Sequence, residues 1–132
     1  MGEGAHVFNL RVYYEDTDSE GIVYYANYLK FIERARTEFV RALGIDQKTL
    51  KAAHGIVFAV RRVEADFLLP ARFDDDLTVE TWPEAQSGAR IILRQDIRRG
   101  TELLFSATVT LVALNQAGRA ARLPPEIRQI LK

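Results

Sequence analysis

Four carboxylates fall within six residues, Glu15, Asp16, Asp18 and Glu20, and Gly21 closes the cluster. Seven residues after Asp18 comes Tyr25, where the sequence turns from loop to helical spacing. A carboxylate beside a helix start is a chemical opportunity. Asp18 can act as a general base that activates water, or as a nucleophile. The unpaired N–H groups of the first helical turn, near Tyr25 and Ala26, can donate to a developing oxyanion while the helix dipole adds positive potential. The plainer alternative makes Asp16 and Asp18 loop formers whose carboxylates bond nearby backbone N–H groups, and Asp16 is assigned to that role.

Other chemistries fit less well. Asp16, Asp18, Glu20 and Gly21 match positions 1, 3, 5 and 6 of a calcium-binding loop, but position 12 is Asn27 instead of Glu and the entering segment reads as a strand. No G-x-S-x-G is present, and neither His6 nor His54 lies near a nucleophile in sequence. Phosphate-binding glycine loops and His-rich metal patterns are missing. Arg90, Arg94, Arg98 and Arg99 read as a solvated face, with nucleotide phosphates as the alternative use. Tyr24, Tyr25 and Tyr28 form an aromatic cluster, in which Tyr28 belongs to the packed stripe of the helix.

The elements that must position this loop follow in order. Phe8, Leu10, Val12 and Tyr14 alternate, which predicts a strand over His6 to Tyr14. From about Tyr25 the spacing of Tyr28, Phe31, Ile32, Ala35, Phe39, Ala42 and Leu43 predicts a long amphipathic helix, ended by Gly44. Asp46 caps a second helix from Gln47 to about His54, stopped by Gly55. A long extended run covers Ile56 to Leu69, with Ala59, Arg61, Val63, Ala65 and Phe67 on one parity. Leu77 to Trp82 forms a strand that Pro83 ends; Ala89 to Ile97 and Leu103 to Ala113 form two more, joined at Arg99-Gly100. Glu126 to Leu131 is a short terminal helix after Pro124-Pro125. One helix facing at least four antiparallel strands predicts an α+β domain with the helix wrapped by a curved sheet. The long strands can pair across subunits, so at least a dimer is expected.

The chain has 132 residues, 48% hydrophobic and 27% charged, with 18 basic and 18 acidic side chains. That size suits a single domain over residues 1–132. Balanced charge argues against a general nucleic-acid binder or a polybasic membrane anchor. With no cysteine, disulfides and thiolate chemistry are excluded. No signal peptide is visible and no apolar run reaches the ~20 residues of a membrane span. A cytoplasmic protein is the expectation.

The run Y-Y-E-D-T-D-S-E-G-I-V-Y-Y-A-N-Y, Tyr13 to Tyr28, followed by F-I-E-R-A-R-T-E-F, resembles the hotdog-fold acyl-CoA thioesterases. The similarity extends to V-E-A-D-F-L-L-P-A-R-F-D-D-D-L near the middle of the chain. It is nearest to the branch of 4-hydroxybenzoyl-CoA thioesterase and the Tol-Pal-associated enzymes. Tol-Pal-associated members commonly carry His where this chain has Tyr25; the 4-hydroxybenzoyl-CoA enzyme has Tyr there but lacks the E-R-A-R of Glu33 to Arg36. The resemblance implies a helix wrapped by five or six antiparallel strands, and homodimers that share a sheet, often paired into homotetramers, with interfacial active sites. It implies Asp18 as the catalytic carboxylate and the Tyr25 backbone N–H as the group polarising the thioester carbonyl. Coenzyme A would arrive as part of the substrate, with no cofactor or metal required. Two alternatives remain: a non-catalytic module binding acyl-CoA or a protein partner, which would not need Asp18, and a dehydratase, which generally needs a His that this region lacks.

Overall fold

A computed structural model describes residues 4–131. Five strands form one antiparallel sheet in the order β1-β3-β4-β5-β2: β1 His6–Arg11, β2 Val57–Phe67, β3 Asp76–Ser87, β4 Arg90–Arg99 and β5 Glu102–Leu114. Against one face lies α1, Asn27–Ala42; α2, Gln47–His54, and α3, Pro125–Ile130, complete the chain. Tyr28, Phe31, Ile32, Ala35, Phe39 and Val40 of α1 are buried in one core with Leu77, Val79, Leu93, Ile97, Phe105 and Val109 of the sheet. Helical spacing on one side and period-two spacing on the other thus meet in a two-layer α+β fold.

Polar contacts inside the core add direction to this packing. Gln95, fully buried on the helix-facing side of β4, donates from Nε2 to the Ile32 carbonyl and to Thr81 Oγ1, both at 2.9 Å. Its Oε1 accepts from an Arg36 guanidinium nitrogen at 3.1 Å. Burial pulls Arg36 below its ordinary pKa, an effect the Glu33 carboxylate opposes. Satisfied polar groups of this kind fix one arrangement of helix on sheet, because any slide leaves them unpaired in a low-dielectric interior.

The second helix is found where the sequence places it, with Asp46 Oδ1 accepting from the Lys48 N–H at 3.0 Å and Gly55 in the left-handed region. Several boundaries differ. The first strand stops at Arg11 instead of Tyr14, because its partner β3 begins at Asp76, opposite Arg11; Tyr14–Asp16 then makes one 3₁₀ turn. The long helix begins at Asn27, two residues later than expected. Pro83 does not end β3, which runs on to Ser87 through a register shift between Pro83 and Ala85. Proline is tolerated there because β1 pairs only as far as Thr81, so no neighbour on that side needs its missing N–H.

The parity read for β2 is also corrected. The register steps from Val60 opposite Leu111 to Arg62 opposite Thr110, leaving Arg61 as an extra, unpaired residue. This bulge turns the strand over, so the helix-facing set is Phe58, Val60, Val63, Ala65 and Phe67, and Ala59 and Arg61 do not belong to it. A second bulge leaves Leu104 unopposed on β5; its carbonyl accepts from the Leu68 and Leu69 N–H groups at 2.8 and 3.1 Å. The last helix runs Pro125–Ile130, one residue earlier than expected.

Phe105 is fully buried and stacks on Tyr28 with ring centroids 5.3 Å apart. Phe105→Ala is expected to lower unfolding free energy by about 3–5 kcal/mol, the range for emptying a packed aromatic site. Urea denaturation would register this as a lower midpoint at unchanged slope.

Candidate active site

The acidic loop is a tight hairpin laid across the start of α1. Asp18 N–H donates to the Ile22 carbonyl at 2.9 Å and Gly21 N–H to the Asp18 carbonyl at 3.1 Å, a turn that Gly21 permits with φ +78°. Thr17 pairs with Val23 across it. The returning arm is held by the segment after β2: Val23 N–H donates to the Ala71 carbonyl at 2.8 Å and Phe73 N–H to the Gly21 carbonyl at 3.1 Å. That segment is in turn tied to the helix, since Ala71 N–H donates to the Tyr28 hydroxyl at 2.9 Å.

The two aspartates separate cleanly. Asp16 is 7% exposed, and its Oδ2 accepts from the Tyr13 N–H at 2.8 Å, so it is the loop former that the sequence indicates. Asp18 is exposed, with Oδ1 accepting only the Glu20 N–H at 2.9 Å, which leaves its other oxygen without a described donor. A carboxylate in this state is open to water or to a substrate. No group of three or more metal-ligating side chains occurs among the described residues, so the calcium-like spacing does not become a cage.

At the helix start the backbone leaves donors free. Ala26 occupies the N-cap position without a side-chain cap. The N–H groups of Asn27, Tyr28 and Leu29 are satisfied by the carbonyls of Tyr24, Tyr25 and Ala26 at 2.8, 3.3 and 3.2 Å. Among the described residues, no acceptor meets the N–H of Tyr25 or Ala26. These two donors, at the positive end of a 16-residue helix, form an anion-favouring position next to the loop.

Apolar groups border the position. The Tyr25 ring is 63% exposed and meets Phe67 edge-on at 6.2 Å; Phe67, itself 50% exposed, packs on Tyr28 and Phe105 at 5.5 and 5.1 Å. Leu68, Leu69 and Phe73 add exposed apolar surface nearby in the chain. A hollow of about 590 Å³ lies instead at the far end of α1, between Thr37, Arg41 and Lys48, where Asp46 is already engaged as a cap. It is far from the carboxylate and plays no part in the site.

Three of the four arginines find partners, Arg94 and Arg98 on the outer face of β4 and Arg99 at its end. Arg98 pairs with Glu80 at 2.9 Å, Arg99 with Asp75 at 2.7 Å and Glu102 at 3.0 Å, and Arg94 donates to Ser106 Oγ at 2.8 Å. These three cations are therefore engaged within the fold. Sequence reasoning missed Asn27, whose side chain bonds the loop, along with Phe67 and the Tyr28–Ala71 hydrogen bond. Only the position of Asn27 just after the helix start hinted at a role; the other two depend on contacts some forty residues apart in sequence.

A single helix cradled by a five-stranded antiparallel sheet, with an acidic loop at the helix start, defines a hotdog protein. The chain belongs to the Thioesterase superfamily, whose family model matches residues 20–106, a span that includes Gly21 and Tyr25 and begins two residues after Asp18. It is 44% identical to the acyl-CoA thioesterase YbgC of Haemophilus influenzae, over 87% of this chain and 85% of that one. Among solved structures it is similar to a "Probable Thioesterase" from Bartonella henselae, at 39% identity and TM-score 0.87, covering 92% of this chain and all of the other. An Asp-to-Asn variant of 4-hydroxybenzoyl CoA thioesterase, complexed with 4-hydroxybenzoyl CoA, shares the fold at TM-score 0.91 and 23% identity, over 97% and 99% of the two chains.

Tyr28 offers a test of how the site is held. Tyr28→Phe strands the buried Ala71 N–H and should cost about 1–3 kcal/mol of stability. Burial also raises the Tyr28 phenol above its ordinary value near 10. Its contribution is then fully present below about pH 10 and is lost as pH rises through the higher folded value. Denaturation curves taken from pH 8 to 11 should show a smaller alkaline loss in Tyr28→Phe than in the wild type.

Proposed function

We propose that the chain is an acyl-CoA thioester hydrolase in which Asp18 and the Tyr25 backbone N–H carry the chemistry. The observation that supports this most directly is the pairing of an open carboxylate with two unbonded N–H groups on either side of one hairpin. Membership of the Thioesterase superfamily supplies the reaction class, and the YbgC relative is an acyl-CoA thioesterase.

In the reaction, Asp18 takes a proton from water as its oxygen bonds to the thioester carbonyl carbon. The carbonyl oxygen becomes an oxyanion that accepts a hydrogen bond from Tyr25 N–H in the field of the α1 dipole. Collapse of the tetrahedral species breaks the C–S bond, and the departing coenzyme A thiolate takes up a proton. In the alternative order, Asp18 itself attacks, displaces the thiolate and forms a mixed anhydride that water then cleaves. Either route consumes one water and yields a free acid and coenzyme A. Coenzyme A enters as part of the substrate, and the Tyr25 ring contributes contact surface only, since its N–H belongs to the backbone.

We further propose that the active unit is a dimer joined along β2. One edge of this 11-residue strand pairs with β5, whereas the other is unpaired among the described residues. Val57, Val60, Val63 and Phe67 are all exposed on it. A long open edge with apolar side chains favours pairing with another strand. A partner strand there would also wall the exposed Tyr25–Phe67 surface, converting an open shelf into a cleft. A tetramer built from two such dimers extends the same reading. Among the described residues, no helix is long and apolar enough to cross a membrane.

Thiol release from a panel of short aliphatic, long-chain and 4-hydroxybenzoyl-CoA thioesters tests the reading. Wild-type protein should turn over at least one of them. Asp18→Asn should reduce kcat on the order of 10²-fold or more while leaving the thermal midpoint unchanged. Near-normal turnover in that variant would remove Asp18 from the mechanism, and a folded wild type that binds every thioester without cleaving any would make the chain a binding module.

A further inference from the structure

We infer that Asn27 is a positioning residue whose side-chain amide sets the relation between the Asp18 loop and the Tyr25 N–H; this rests on the catalytic reading above. Three hydrogen bonds close a ring around the start of α1. Tyr24 N–H donates to the Asp16 carbonyl at 3.0 Å, Asn27 N–H donates to the Tyr24 carbonyl at 2.8 Å, and Asn27 Nδ2 donates to the same Asp16 carbonyl at 2.9 Å. Asn27 therefore holds Tyr24, the other end of the turn Tyr24–Asn27, through its backbone and Asp16 of the loop through its side chain at once.

What the ring encloses gives it meaning. Tyr25 and Ala26 are the two central residues of that turn, and theirs are the N–H groups left without acceptors. The atom on which two of the three bonds converge, the Asp16 carbonyl oxygen, lies two residues before Asp18 in the chain. One amide thus couples the residue that presents the base to the turn that presents the oxyanion donors. The Asp16 end is itself anchored, because its buried carboxylate holds the Tyr13 N–H.

An ordinary helix cap does not explain the arrangement. A capping side chain sits at the N-cap and accepts from a backbone N–H inside the helix. Here the N-cap is Ala26, and Asn27 lies one residue inside. Its bond runs the other way, from an amide nitrogen to a carbonyl outside the helix. Since that partner can only accept, the bonded atom of the amide must be its nitrogen. Loss of the bond removes nothing the helix needs, but it leaves the Tyr24 N–H as the one remaining bond from the turn to the Asp16 carbonyl, a looser hold on the loop. Displacements of about 1 Å in such a constellation cost on the order of 10²-fold in rate.

The test uses the full chain and the thioester that the wild type hydrolyses best. Asn27→Ala, neutral and helix-favouring, should lower kcat by about tenfold or more, with KM within about threefold and the thermal midpoint close to wild type. Asn27→Asp keeps the size and suits the helix dipole, yet cannot donate to the carbonyl; its kcat should fall at least as far. Combined with Asp18→Asn, the Asn27→Ala loss should be much smaller than in the wild-type background, because the residues act as one unit. Turnover of Asn27→Ala within twofold of wild type, a change confined to KM, losses that multiply in the double variant, or unfolding of both Asn27 variants would each overturn the inference. Wild-type turnover in Asp18→Asn would instead strike the proposed base, and a kcat loss in Asn27→Ala would then stand through the Tyr25 N–H alone.

Discussion

Burial of the α1 stripe against the concave face of the sheet is the constraint on which the rest of this molecule depends. Phe31, Ile32 and Ala35 are withdrawn from water between strands that contribute Leu77, Val79, Leu93, Ile97 and Phe105. Each large side chain in that layer contributes roughly 1.5–3 kcal/mol by leaving water, and close packing converts the sum into one fixed pose of helix on sheet. Gln95 adds direction, because its amide reaches the Ile32 carbonyl and Thr81 in only one register. The helix start is therefore delivered to one place, and with it the unbonded N–H groups of Tyr25 and Ala26.

The acidic loop has no such core of its own. It is positioned secondhand, by hydrogen bonds to elements that the core has already placed. Tyr28 links the helix to Ala71, the segment around Ala71 pairs with Gly21–Val23, and Asp16 is bonded from Tyr13, Tyr24 and Asn27. The scaffold is dry and packed, while Asp18 itself remains exposed on the hairpin. The apolar surface beside it, Tyr25 with Phe67, is likewise exposed in one protomer, next to the open edge of β2. Asp18, the unbonded N–H groups and the Tyr25–Phe67 surface thus adjoin the start of α1.

Much of this was readable from residue order. The helical stripe from Tyr28 to Phe39 and the alternation of Leu103 to Ala113 are statements about periodicity, and periodicity reflects which side chains must leave water. Asp46 and Gly55 marked the second helix because capping is local chemistry. The roles expected of Asp18 and Tyr25 came instead from the resemblance of the Tyr13 to Tyr28 run to hotdog thioesterases, since residue spacing alone left Asp18 open between loop former and base. Misreadings occurred where a distant strand had the deciding voice. Pro83 reads as an end because a lone proline breaks a ladder, yet β1 has already stopped and nothing there needs its N–H. The single extra residue at Arg61 inverted the apparent faces of half a strand.

Local order in the chain thus determined the element types and the α+β class, which depend on interactions within a turn or two. Tertiary structure decided that Asp16 is buried and Asp18 is not, that Asn27 bonds across eleven residues to the loop, and that Phe67 joins Tyr25 and Tyr28. Each of these requires two segments to be brought together by the core before any contact exists. Sequence spacing carries no record of that meeting until the helix and sheet have closed on one another.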